Sequence, residues 1–172
     1  MVTNNTFETG LGIITVNRTV FNNFDDVRKI ANFTVKIPKK VPNGYSLKQI
    51  EYYKPNTSAP KKAKNDMLLA TYSDGKNEFE VHQGYFGGEY VPKGPKGTLE
   101  GEVSIQNEKG NWTKGTIKYT GGDSLEDVKH AKKEWEEKLL QLGWRKEGIG
   151  YRITTEALNL EELTIISESL EE

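Results

Sequence analysis

The chain has 172 residues, with 24 Lys and Arg against 25 Asp and Glu, two His and no Cys. A chain of this length builds one domain with a core that needs no metal or disulfide to fold. The missing Cys excludes thiol chemistry, thiolate metal centres and disulfide scaffolds, and a net charge of −1 offers no basic field for nucleic acid. Hydrophobic residues make up 34% of the chain and the mean hydropathy is −0.71, yet aromatics at 10% are too many for a disordered polymer. These values describe a folded chain with long polar loops. No apolar run approaches the ~18–20 residues that a bilayer crossing needs. The start, Met1-Val2-Thr3-Asn4-Asn5-Thr6, has neither the basic nor the apolar stretch of a signal peptide, so the chain reads as soluble.

The β-branched stretch 10–21 predicts a strand, with residues 1–21 forming an N-terminal arm or strand and 22–172 a single α+β domain. Asn22 or Asn23 is placed to cap a short helix that has Asp25 and Asp26 in its first turn and Phe24, Val27, Ile30 and Ala31 on one face. Phe33, Val35 and Ile37 alternate with Thr34 and Lys36 as a strand does, and Pro42-Asn43-Gly44-Tyr45 predicts a β-turn. A half-wet strand then begins at Tyr45 and gives way to a Pro- and Lys-rich loop through Lys64.

Runs 67–72 and 78–83 flank Ser73-Asp74-Gly75-Lys76-Asn77. Asp-Gly supplies the positive φ of a tight turn, so the two runs predict a hairpin. Runs 98–106 and 112–119 predict a second hairpin across residues 107–111. Between the two hairpins, residues 84–97 hold five Gly and two Pro and read as a long loop or irregular edge. After Gly121-Gly122 the period lengthens. Leu125, Val128, Ala131, Trp135, Leu139 and Leu142 recur at helical spacing, Gly143 suits a helix stop, and Lys132–Glu136, Lys133–Glu137 and Glu134–Lys138 stand four apart on a solvated face. A helix over 125–142 follows. Residues 143–154 predict a last hairpin, and Asn159 with Glu162 a capping box for a final helix carrying Leu160, Leu163, Ile166 and Leu170. The fold class is α+β: an antiparallel sheet built from hairpins, partly covered by helices near the start and at the C-terminus.

The residues that carry chemistry are few. His82 lies on a strand without a Gly-x-Ser-x-Gly elbow to place a nucleophile, and His130 sits among Lys129, Lys132 and Lys133 beside the apolar stripe. Glu80, Glu100 and Glu102 are strand acids, the last two sharing a face, but strand acids facing water need no catalytic role. Asp74-Gly75-Lys76-Asn77 lacks the alternating oxygens of a calcium loop, and Gly94-Pro95-Lys96-Gly97 lacks the end of a phosphate loop. Lys39-Lys40, and Lys61-Lys62 with Lys64, are basic clusters on loops. No residue is assigned a catalytic, cofactor or metal role. The candidate binding surface is Tyr85, Phe86 and Tyr90, large rings set among glycines in a loop.

Two blocks at opposite ends of the chain are familiar together. Phe33-Thr-Val-Lys-Ile-Pro38, Val41-Pro-Asn-Gly-Tyr45 and Tyr72-Ser-Asp-Gly75 open one block, and Trp144-Arg-Lys-Glu-Gly-Ile-Gly-Tyr151 with Leu160-Glu-Glu-Leu-Thr-Ile-Ile-Ser-Glu-Ser-Leu170 close the other. In order and spacing they resemble the bacterial family called domain of unknown function 4367, over roughly residues 24–170. The resemblance implies an extracytoplasmic domain in Gram-positive bacteria, tethered to the membrane or envelope by an anchor absent from this chain, and brings no activity with it. Against a compact member, the chain carries a long insertion at about 83–120. The expected function is a non-catalytic interaction or sensory domain whose partner is a protein or a cell-wall component, with no cofactor and no nucleic acid. The alternatives are a small-molecule or lipid-binding module with a cavity between sheet and helices and, third, a hydrolase.

Overall fold

The computed structural model describes residues 2–9, 12–55, 66–85, 89–120 and 132–172, with side chains for 17–54, 66–85, 89–120 and 132–172. Among these residues the chain runs β1 (Val2–Thr9), β2 (Gly12–Phe21), α1 (Phe24–Arg28), β3 (Ile37–Pro38), β4 (Ser46–Pro55), β5 (Met67–Ser73), β6 (Glu78–Gly84), β7 (Glu100–Ile105), β8 (Glu108–Thr120), β9 (Lys132–Lys146), β10 (Ile149–Thr155), α2 (Leu160–Glu168) and β11 (Leu170–Glu171). Nine strands form one antiparallel sheet in the order β1-β2-β4-β5-β6-β10-β9-β8-β7, and β3 pairs with β11. The fold is α+β, with one helix near the start and one at the C-terminus.

Local chemistry explains most boundaries. Asn23 Oδ1 accepts the Asp26 N–H at 2.9 Å and starts α1, which buries Phe24 and Val27; Ile30 lies beyond the helix end and is exposed rather than on the buried face. Tyr45 N–H bonds to the Pro42 carbonyl at 3.1 Å to close the first turn, with Gly44 at φ 89. In the β5–β6 hairpin Asp74 Oδ1 accepts the N–H groups of Lys76 and Asn77, with Gly75 at φ 91. The β9–β10 hairpin turns on Glu147 and Gly148, both at positive φ. Asn159 and Glu162 form the reciprocal capping box that opens α2.

Three expectations are corrected. The expected helix over 125–142 is instead, from Lys132 onward, strand β9; residues 125–131 lie outside the described residues. Lys114 faces Leu140 while Thr116 faces Glu136, so the single residue Gly115 stands opposite residues 137–139. That bulge shifts the phase of the apolar positions on either side, and two period-two runs out of step mimic a 3.6-residue repeat. Gly115 has φ 131 and lies under the Trp135 ring, which a Cβ would meet at 2.4 Å. The charges pair along the strand as Lys132–Glu134 and Lys138–Glu136 rather than four apart.

Second, the β7–β8 connection is a two-residue turn, Gln106 (φ 49) and Asn107 (φ 68), so residues 108–111 belong to β8. Gln106 Nε2 also donates to the Leu170 carbonyl at 2.9 Å, which ties the turn to β11 just beyond α2.

Third, the alternating run 33–37 is not a strand apart from its Ile37 end. Its backbone bonds to the Gln83 side chain instead of to a neighbouring strand.

Side chains alternate across each strand, so cross-strand register sorts the sheet into two faces. On the first face Ile50, Leu68, Ala70, Phe79, Val81, Leu142, Trp144, Tyr151 and Ile153 are buried. They form one cluster with Phe24 and Val27 of α1, Val35, and Leu163 and Ile166 of α2. Trp144 stacks on its cross-strand partner Tyr151 at 5.3 Å.

Candidate functional site

The second face of the sheet is polar, and register aligns it in two rows. One runs Gln49–Thr71–Glu80–Thr154–Gln141–Thr113–Glu100 across seven strands, each a direct cross-strand neighbour of the next. The other runs Glu51–Leu69–His82–Arg152–Gly143–Asn111–Glu102. A sheet face turned to water carries exposed polar residues, but here Thr71, His82, Thr113, Gln141 and Thr154 are all buried. The strand acids Glu80, Glu100 and Glu102 all belong to these rows. Glu80 lies four strand spacings from Glu100, roughly 19 Å.

Part of the cover is an irregular strap over residues 89–93. Gly143 makes its approach possible: a Cβ there would meet the Glu89 carbonyl oxygen at 2.3 Å and Val91 Cγ1 at 3.2 Å. Two arginines of the neighbouring strands hold the strap. Arg145 Nη1 donates to Glu89 Oε1 at 2.6 Å, and Arg152 Nη1 donates to the Tyr90 carbonyl at 3.1 Å. The strap is therefore held at three consecutive points by glycine contact, ion pair and backbone hydrogen bond.

Between the strap and the β7–β8 hairpin lies an open pocket of about 560 Å³. Glu100, Glu102, Asn111 and Thr113 form its floor, and Glu89, Tyr90, Val91, Pro92 and Lys93 its wall. The Trp112 ring turns to the other face, where it lies over Gly101 and packs against the core. The described lining carries three carboxylates and Lys93; Arg145 pairs with Glu89 and Lys109 with Glu102 from beside it, so Glu100 is the carboxylate left without an ion pair. Glu102 pairs with Lys109 at 2.5 Å where both are exposed, a contact worth little in water. Glu89 Oε2 and Thr113 Oγ1 are buried and have no hydrogen-bond partner.

Deeper on the same face, His82 Nε2 lies 3.3 Å from Glu80 Oε2, and Thr154 Oγ1 donates to the same oxygen at 3.4 Å. The His82 contact is the largest influence holding the Glu80 carboxyl below its ordinary pKa. Burial pulls the Arg152 guanidinium below its ordinary value, opposed by the charge of Glu80. His82 Nδ1 and Arg152 Nε are also buried without a partner.

The three loop aromatics have different fates. Tyr85 turns to the helix side, its ring edge-on to Phe33 at 5.8 Å and its hydroxyl donating to the Asn32 carbonyl at 3.3 Å. Phe86 lies outside the described residues. Tyr90 is 64% exposed on the pocket wall. His130 and the lysines at 61, 62 and 64 also lie outside the described residues, whereas Lys39 is exposed and donates to the Glu172 carbonyl at 3.2 Å. The Asp74 carboxylate is committed to its own turn, whose backbone N–H bonds hold its pKa down, and in 94–98 Thr98 bonds back to Pro95. Among the described residues no three His, Asp or Glu side chains are grouped to hold a metal, and no helix is long and apolar enough to cross a membrane.

Reading the residues in sequence order singles out Tyr90 as a candidate and sets Glu100 and Glu102 aside as water-facing strand acids, without showing what joins them. Gly143 inside an apolar run is the available signal, since glycine within a strand marks a close backbone approach, while the same residue also suits a helix stop. Thr113, Asn111 and the two arginines are placed by register, which no local motif encodes. Comparison with protein-family models, with curated proteins and with solved structures returned no match. The likeness to domain of unknown function 4367 thus rests on its motif residues alone.

Proposed function

We propose that this protein is a non-catalytic interaction or sensory domain of a Gram-positive envelope protein, acting outside the cytoplasm and binding a protein segment in the pocket beneath the 89–93 strap. The address rests on the paired motif blocks. The binding reading rests on one observation: the strap is held by Gly143, Arg145 and Arg152, so the pocket exists before any partner arrives, with Tyr90 on its wall. Preformed concave sites with a few placed polar groups are where ligands bind, and a preformed site spares the ordering cost of association. The unpaired Glu100 carboxylate on the floor disfavours a polyanionic ligand, which favours a protein partner over an anionic polymer. The layer between sheet and helices is filled by Ile50, Phe79, Val81, Leu163 and their neighbours, so this reading places the site on the opposite face.

The test is a photo-reactive side chain at Tyr90 in the protein as produced in its own cells, with Ile165 on α2 as the comparison site. A discrete protein adduct from position 90, absent from position 165 and in an extracytoplasmic fraction, is the expected result. The same adducts from both positions, or none from 90, overturn the binding reading. Recovery of the native protein wholly in the cytosol overturns the address.

A further inference from the structure

We propose that the pocket between the strap and the β7–β8 hairpin takes an organic cation, a primary ammonium group of the kind a lysine side chain or a free diamine presents. The inference rests on the binding reading and specifies its chemistry. Thr113 is 1% exposed, lies on the pocket floor beside its cross-strand neighbour Glu100, and its Oγ1 has no partner. Glu89 gives one carboxylate oxygen to Arg145, while the other, Oε2, is buried and unpartnered. Glu100 makes no ion pair among the described residues. The Glu89 oxygen can only accept, the Thr113 hydroxyl can accept as well as donate, and Glu100 is exposed with its carboxylate free to take a donor. A buried oxygen left without a partner is costly, and a group that donates meets both Glu89 Oε2 and Thr113 Oγ1.

An ammonium is a compact charge with three donors and no acceptor, whereas an anion entering here meets the unpaired Glu100 and the free oxygen of Glu89. The exposed Tyr90 ring on the same wall adds a π-face of the kind that attracts cations. Among the described lining residues Lys93 is an exposed cation, and Arg145 and Lys109 pair with Glu89 and Glu102 from beside the pocket, which leaves Glu100 as the carboxylate without an ion pair.

The experiment titrates the full chain with Nα-acetyl-lysine N-methylamide and with 1,5-diaminopentane, following the backbone amides of Asn111, Thr113 and Gly143 by NMR. Nα-acetyl-norleucine N-methylamide, which keeps the chain length and lacks the charge, is the control. Saturable shifts at these amides for the two cations, absent for the control and weakening with added salt, are expected. Glu100→Gln, at an exposed edge position, and Thr113→Val, nearly equal in shape, should each weaken binding at least about fivefold with the rest of the spectrum unchanged. Tighter binding of the lysine derivative points to a protein segment, and tighter binding of the diamine to a free polyamine; both keep the cation assignment. No shift up to about 20 mM, or equal shifts with norleucine, overturns it. If the Tyr90 adduct persists in that case, the binding reading stands and only the cation chemistry falls.

Discussion

The Gln83 side chain closes a ring with the backbone of Lys36: Gln83 Oε1 accepts the Lys36 N–H at 2.9 Å, and Gln83 Nε2 donates to the Lys36 carbonyl at 2.8 Å. The carboxamide thus takes the place of a neighbouring strand for a segment that has none. It is 1% exposed, so neither bond is exchanged with water. Gln83→Leu keeps the volume and leaves both backbone groups orphaned, and should cost about 2–4 kcal/mol. Urea unfolding checks this: the midpoint should fall with the slope unchanged.

Gly143→Ala puts a methyl where the Glu89 carbonyl stands, with only 2.3 Å available, so the strap must lift. A stability loss of about 1–3 kcal/mol is expected, as for other overpacked sites. Amide exchange should rise at residues 89–93 and stay protected along β9 and β10, and the Tyr90 adduct should vanish.

Tyr52, Tyr72 and Tyr151 are nearly inaccessible, and burial raises all three phenols above their ordinary value, Tyr151 to about 12. The neutral form is favoured in the folded state. Their contribution is therefore complete below about pH 10 and is lost as the pH climbs toward the folded values, at roughly 1.4 kcal/mol per pH unit per group. Absorbance at the phenolate band should rise together with loss of far-ultraviolet ellipticity in one steep alkaline transition. Early, gradual ionisation of these three rings in a folded protein would contradict the packing.

Glu80 titrates below its ordinary 4.5 because it accepts from His82. The depressed value means that this contact contributes above the ordinary carboxyl range and disappears as the pH falls through the folded value. A carboxyl-carbon NMR titration should place the Glu80 midpoint below 4.5, and His82→Asn should move it up toward that value.

Where local chemistry decides the structure, it was readable from the residues. Asp74-Gly75 announces its hairpin, Asn23 its helix start, and Asn159 with Glu162 the last helix. The misreadings come from non-local pairing. Trp135 and Leu142 belong to one helical stripe only if residues 137–139 do not bulge, and that bulge is set by Gly115 on another strand. The Gln106-Asn107 turn is hidden because Gln at positive φ is rare and its side chain is held by the Glu168 and Leu170 carbonyls, at and just beyond the end of α2. Of the site, Tyr90 stands out by composition, whereas Glu100 and Glu102 read as ordinary strand acids facing water. The unpartnered Thr113, the strap held over Gly143 and the polar rows emerge only when cross-strand neighbours are known.

The sheet closes along β6 and β10, strands some seventy residues apart in the chain. On the ribosome, β1 to β6 emerge first and present the β6 edge, with its apolar Phe79 and Val81, before its mate has been translated. An open edge of that kind is a template for foreign strands. Until β10 is available to pair, the β6 edge is therefore the part of this chain most open to aggregation.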